Sequence, residues 1–314
     1  MRTIIGVDPH PDSHTLSALD PNGRALGSLR VLNTPEGFEQ MLGFARRFPE
    51  RRWAIEGASN PFVRPWAEEL VGAGEEVVSV PPSLTSRYRS RTGRKKNDLV
   101  DAENAARVLL ADPHLAPYAP SPRTRRLQVL SRTRRRLARQ LKANRMALED
   151  LPEGSPEREV IGQTILCLSE GISRLQKLMG EIVRRTMPEV LQIRGVGPLL
   201  GAHLMAEVGD VSRFASADRF AAYCGGPVER SSGKNARASV NPGGNRTLNW
   251  VLHMIAQVRL RTDGGRSRAL VERKMAEGKT LRAALRVLKT YIARELYRTL
   301  KAIQEGRGSG PLAA

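Results

Sequence analysis

Four carboxylates stand where they could share a divalent cation: Asp8, Glu56, Asp98 and Asp101. Asp8 ends the apolar run Ile4-Ile5-Gly6-Val7, and Glu56 ends Trp53-Ala54-Ile55. Asp98 and Asp101 are three residues apart in a segment that reads as helix, so they share a face. A single acid at a strand end is ordinarily a solvated turn residue. Four in coordinated places make a set of hard oxygen donors suited to Mg2+ or Mn2+. Without a cation such a cluster repels itself and raises its own pKa values. Two ions about 4 Å apart would also serve an attacking and a leaving oxygen. His10 is near enough in sequence to touch this site. His14, His114, His203 and His253 lack ligand spacing and are assigned to packing or surface.

The rest of the chain is basic. Lys and Arg number 51 against 32 Asp and Glu, a formal charge of +19. Such a field favours nucleic acid or an anionic surface as partner. Aromatic residues make up only 4%, and no apolar run approaches the ~18 to 20 residues that span a bilayer. Nucleic acid is therefore expected, with no membrane. Cys167 and Cys224 are far apart and without ligand spacing, which fits a reducing cytosol and argues against a disulfide scaffold. Met1-Arg2-Thr3 leads directly into a strand, so no signal peptide is expected.

Three basic or glycine-rich stretches are candidates for phosphate contact. Arg87, Arg89, Arg91, Arg94, Lys95 and Lys96, with Tyr88 among them, read as a basic loop just before Asp98. A solvated loop is its plainer reading. Arg123, Arg125, Arg126, Arg132, Arg134, Arg135, Arg136, Arg139, Lys142 and Arg145 follow one another without an acid, whereas a simple soluble coiled coil alternates signs. Gly195 and Gly197 precede a helix with Pro198 at its first position, which presents free N–H groups to an anion. A tight structural turn explains them nearly as well. The segment Pro227 to Lys234, including Ser231-Ser232-Gly233, reads as a polar loop.

The elements that must position these residues follow from pattern. Strands are expected at 3–7, 15–19, 28–32, 52–55 and 76–80, the last closed by Pro81-Pro82. Helices are expected from Thr34-Pro35, over 61–71 and over 98–110. This β-β-β-α-β-α-β-α order is that of the ribonuclease-H-like fold. Leu127, Leu130, Leu137, Leu141, Leu148 and Leu151, then Ile161, Ile165, Leu168, Ile172, Leu175, Met179 and Ile182, keep heptad spacing either side of a break at 152–156. They make either an antiparallel hairpin or an intermolecular coiled coil. Helices near 198–208, 220–224, 248–260 and 281–300 make the last third mainly α. The expected class is α/β plus α. Its domains are 1–116 for metal binding, 117–187 for the helical hairpin, 188–303 as a mainly α domain and 304–314 as a tail.

Gly6-Val7-Asp8, Ile55-Glu56-Gly57 and Lys96-Asn97-Asp98-Leu99-Val100-Asp101-Ala102 resemble the acidic motifs of DEDD transposases of the insertion sequence 110 family. Arg194-Gly195-Val196-Gly197, Phe220-Ala221-Ala222-Tyr223, Pro227 through Gly233 and Gly244-Asn245 continue the resemblance in the family's order. Asn97 departs from it, standing where threonine is common, and so do Pro9-His10. The resemblance implies a RuvC-like first domain and a transposase domain with a serine nucleophile. It matches Ser232, with Ser231 adjacent. It also implies Mg2+ (or Mn2+) on the four acids, a bridge RNA pairing with donor and target double-stranded DNA, and a homo-oligomer, dimer or tetramer. Two other readings remain: a metal-dependent junction-resolving nuclease, which needs the acids but not Ser232, and a non-catalytic nucleic-acid-binding regulator, which needs neither.

Overall fold

The computed structural model describes residues 2–92, 97–119, 121–232, 235–241 and 243–306, with backbone alone at 91–92, 122–123, 227–232 and 235–240. The chain forms two compact units, Met1–Ala119 with Arg213–Arg219 and Pro120–Ser212 with Phe220–Ala314.

The first unit is built on a five-stranded sheet of β1 (Thr3–Pro9), β2 (Ser13–Leu19), β3 (Ala25–Leu32), β4 (Arg51–Glu56) and β5 (Val77–Val80), in the order β3-β2-β1-β4-β5. The first three strands form an antiparallel meander. β4 pairs parallel to β1, and β5 parallel to β4. Helix α1 (Pro35–Ala45) starts as its sequence signals. Thr34 caps it by accepting from the Gly37 amide at 3.2 Å, and Pro35 opens its first turn. Helix α2 (Arg64–Gly72) follows β4.

Alternation along the strands sorts their side chains between two cores. Ile5, Val7, Trp53 and Ile55 join Phe38, Met41, Trp66 and Leu70 on one face of the sheet. Ile4, Ala54, Val78 and Val80 meet Ala105, Ala106 and Leu109 on the other. Asp8 shares the parity of Ile4, and Glu56 that of Ala54, so both acids belong to the second face.

The expected basic loop after β5 is largely a helix. α3 (Pro82–Thr92) carries Arg87, Arg89 and Arg91, while Arg94, Lys95 and Lys96 lie outside the described residues. Leu84 and Tyr88, four apart, pack on the second core. Pro82, read as closing a strand, opens a helix instead. α4 (Asp98–Ala111) begins at Asn97, whose side chain accepts from the Leu99 amide at 2.9 Å. The residue that departs from threonine thus still serves as a cap.

In the second unit, α5 (Pro122–Glu149) and α6 (Pro156–Thr186) pair as an antiparallel hairpin. Leu137 lies opposite Gly171, and Arg158 Nη1 donates to the carbonyls of Leu148 and Leu151 at 2.8 Å. Arg134 on α5 faces Gln176 on α6. With the amide oxygen turned toward it, Nε and Nη2 donate at 3.2 and 3.0 Å. The open end of the hairpin closes on α7 (Pro198–Val208) through Leu127, Met179, Val183, Ala202 and Ala206. A short helix α8 (Ala217–Tyr223) leads to strands β6 (Pro227–Ser232) and β7 (Asn235–Val240). The expected polar loop is therefore a hairpin, with Ser231 opposite Ala236 and Ser232 opposite Asn235. Helices α9 (Arg246–Thr262), α10 (Arg266–Ala276) and α11 (Leu281–Gln304) complete the unit. Among the described residues, no helix is long and apolar enough to cross a membrane.

Candidate functional site

β1 and β4 run parallel in register, Val7 beside Ile55, so Asp8 and Glu56 follow at the same end of the sheet. α4 crosses this face because Gly6 has no side chain: a Cβ there would collide with the carbonyl of Ala102 and lie 2.8 Å from the amide nitrogen of Ala106. That approach sets the first turn of α4, with Asp98 and Asp101, beside Asp8. The helix N-terminus also favours carboxylates there.

The acids form one electrostatic cluster. His10 bridges two of them, with Nδ1 3.7 Å from Asp8 Oδ2 and Nε2 3.9 Å from Asp98 Oδ1. One ligand atom each from Asp8, His10 and Asp98 lie within 4.8 Å of one another. Ligands of one ion at about 2.1 Å each stand no more than about 4.2 Å apart, so a small contraction would let this trio close on a cation. Burial pushes the Asp8 carboxyl up to about 7; Glu56, Asp101 and Asp98 add to the rise and His10 opposes it. Burial likewise raises Glu56, against a hydrogen bond from Thr85 and the charge of Arg89. Asp101 is buried and ion-paired with Arg89, whose Nη1 reaches both carboxylate oxygens. Two acids that burial holds back from ionising, Asp8 and Glu56, beside Asp98 and an Asp101 already paired with a guanidinium, fit a hard divalent cation.

The sequence did not single out Thr85 or assign Arg89 to the acids. Both sit on α3, the helix that the sequence hid. Arg89 had been expected to contact phosphate, and here it neutralises Asp101. Glu103 turns away from the cluster toward Arg107, at 3.6 Å.

In the second unit, Arg125 and Arg126 are exposed on α5. Arg132, Arg135, Arg136 and Arg139 line a cavity of about 900 Å3 together with residues of α7 and α9. Gly195 takes φ +86 and lies against Ile255, while Gly197 is exposed at the start of α7. Gly195 is thus required by the turn itself, whereas nothing crowds the position of Gly197. Ser232 ends β6, and Lys234 lies outside the described residues.

The base of the hairpin explains the remaining motif residues. Asn245 caps α9 by accepting from the Leu248 amide at 3.0 Å, and its Nδ2 donates to Glu207 at 2.7 Å. Its own amide donates to the Tyr223 carbonyl at 2.6 Å. Gly244 packs so tightly on Gly225 that a Cβ on it would lie 2.4 Å from the Gly225 Cα, and Gly225, at φ +81, has the Asn249 side chain where its own Cβ would be. Tyr223, Gly225, Gly244 and Asn245 thereby tie the two ends of the β-hairpin together.

Two family models match the chain. A DEDD transposase model of IS110 type covers residues 5–151, and one described as the transposase IS116/IS110/IS902 family covers residues 187–272. The chain belongs to this transposase family. It is 25% identical, over 88% of its own length and 89% of the relative's, to an uncharacterized 44.8 kDa protein of insertion element IS116 from Streptomyces clavuligerus. It is 34% identical, over 38% of its length and 31% of the relative's, to an uncharacterized 42 kDa protein of insertion element IS900 from Mycobacterium paratuberculosis. Membership makes the transposase an enzyme that cuts and transfers DNA strands, and therefore binds DNA. DEDD transposases typically use a divalent metal, consistent with the cluster around Asp8.

Proposed function

We propose that this transposase is an RNA-guided recombinase in which Asp8, Glu56, Asp98 and Asp101 hold Mg2+ (or Mn2+) and Ser232 is the nucleophile. The observation that carries the metal half is the convergence of the acids, with His10, at one end of the sheet. The strand order β3-β2-β1-β4-β5 with α4 across one face supports a ribonuclease-H-like, RuvC-like first domain. The domain limits proposed are those drawn from the sequence: 1–116, 117–187, 188–303 and 304–314.

When bound, the ion would supply positive charge to a phosphate at the site. Asp8, Glu56, Asp98 and Asp101 would hold the ion, and Arg89, which pairs with Asp101 in the metal-free chain, would be at hand for a phosphate oxygen. Ser232 Oγ bonds to phosphorus as the bond to the leaving sugar oxygen breaks. The serine proton passes to a neighbouring base, and the leaving oxygen takes up a proton. The phosphoserine diester retains the bond energy needed for rejoining. Base pairing between a bridge RNA and both donor and target DNA would supply sequence choice, leaving the protein to hold phosphates through Arg125, Arg126, Arg132, Arg135, Arg136, Arg139, Lys234, the Gly195–Gly197 turn and the basic run 87–96. Subunits would share the site, the acids of one acting with the serine of another in a dimer or tetramer, with the α5–α6 hairpin as the coiled-coil joint.

The test is strand cleavage of donor and target DNA by the protein with RNA transcribed from the DNA flanking its gene. Asp8→Asn and Asp101→Asn should abolish cleavage, and omission of the RNA should abolish target choice. RNA-independent cutting of four-way junctions, undiminished in Ser232→Ala, would support the junction-nuclease reading instead.

A further inference from the structure

The cavity between α5, α7 and α9 combines charge with an aromatic face. Arg132, Arg135, Arg139 and Lys142 line it from α5 and Arg246 from α9, and no carboxylate is among its lining residues. Thr247 holds Arg135 in place, accepting from Nη1 at 2.8 Å. Trp250 forms part of the wall and is 38% exposed, whereas Trp53 and Trp66 are buried in the sheet core. His203 stands edge-on to the Trp250 ring, with centroids 5.4 Å apart, and is itself 1% exposed. Its Nδ1 is hydrogen-bonded to Ser131 Oγ at 2.8 Å, while Nε2, also buried, has no partner among the described residues. Burial, with Arg134 and Arg135 nearby, pushes this imidazole down to about 4, so it is neutral.

Uncompensated cations in a concavity attract phosphate. An indole held exposed beside them gains little from water and much from stacking on a flat partner. In a duplex the base faces are already stacked on their neighbours, so only an unpaired base can offer one. We propose that this cavity holds one unpaired nucleotide, its base on Trp250 and its phosphates against Arg135, Arg139 and Arg246. The proposal rests on the chain binding nucleic acid and adds which state of the strand is bound; phosphate and base are common to DNA and RNA.

Quenching of tryptophan fluorescence reads the site, since Trp53 and Trp66 are buried where no ligand can stack on them. Oligothymidylate and oligouridylate should both quench it, the tighter of the two naming the strand. Inorganic polyphosphate should compete without quenching, and duplex DNA should quench far less. Trp250→Ala should weaken single-strand affinity roughly tenfold, measured with a labelled oligomer. Trp250→Phe should retain affinity within about twofold, since a phenyl ring still stacks. Equal binding by Trp250→Ala and the wild type, or equal quenching by duplex, would overturn the nucleotide site. If Arg139→Gln with Arg246→Gln then weakened single strand and duplex alike, the basic surface would stand without it.

Discussion

Gly6 on β1 lies directly beneath the backbone carbonyl of Ala102 on α4, leaving no room for a methyl group between strand and helix. That contact fixes the height of α4 above the sheet, and with it the reach of Asp98 and Asp101 toward Asp8. Gly6→Ala should lift the helix. Overpacking of this kind costs about 1–3 kcal/mol, readable in urea unfolding. Divalent-ion affinity should fall with it, whereas Gly43→Ala, in open space on α1, should leave ion affinity unchanged and raise stability by about 1 kcal/mol.

The Asp8 carboxyl gives the metal site a pH dependence. Its pKa rises from 3.8 to about 7 in the fold, chiefly through burial. Between those values the unfolded chain has released a proton that the folded chain keeps, so metal-free stability falls as pH rises through this window. Cation binding requires the ionised acid and should release a proton below about 7. Affinity should climb with pH and level off above it, as calorimetry in buffers of different ionisation enthalpy would report. Asp8→Asn should stabilise the metal-free protein at neutral pH by on the order of 1–3 kcal/mol while removing ion binding.

Arg89 occupies the Asp101 carboxylate from α3. Arg89→Ala leaves a buried acid without its cation, which should destabilise the metal-free protein by about 1–3 kcal/mol. The ion then replaces the missing charge. Mg2+ should therefore raise the melting temperature of Arg89→Ala more than that of the wild type, measured by calorimetry at matched ion concentration.

Much of this site was legible in sequence. Ile4 to Asp8 and Trp53 to Glu56 announce strands by apolar runs that end in acids, and Asn97 announces the start of α4 by its capping chemistry. The antiparallel hairpin was one of two outcomes that the heptad pattern allowed. α3 was hidden because Arg and Ser dominate it and only Leu84 and Tyr88 mark its buried face. α10 was hidden in the same way, with Ser267 and Val271 its buried positions. The strands β6 and β7 lack an apolar alternation, so a polar segment joined by backbone pairing read as a loop. Gly225 and Gly244 were visible as turn residues, but their mutual packing depends on contacts between segments far apart in sequence.

That packing also makes a prediction about the serine strand. Gly244→Ala would press on the backbone of Gly225, and Asn245→Ala would lose a cap worth about 1 kcal/mol together with the Glu207 partner. Both should reduce strand transfer while leaving Mg2+ binding by the acids intact. A variant that lost metal affinity as well would show a wider collapse of the fold.

The most direct measurement is recovery of a covalent protein–DNA adduct after reaction with Mg2+, followed by peptide mapping of the linked residue. The expected result is a nucleotide on Ser232, with no adduct in Ser232→Ala and none in Asp101→Asn. Full strand cleavage without any adduct, or an adduct that persists in Ser232→Ala, would contradict it.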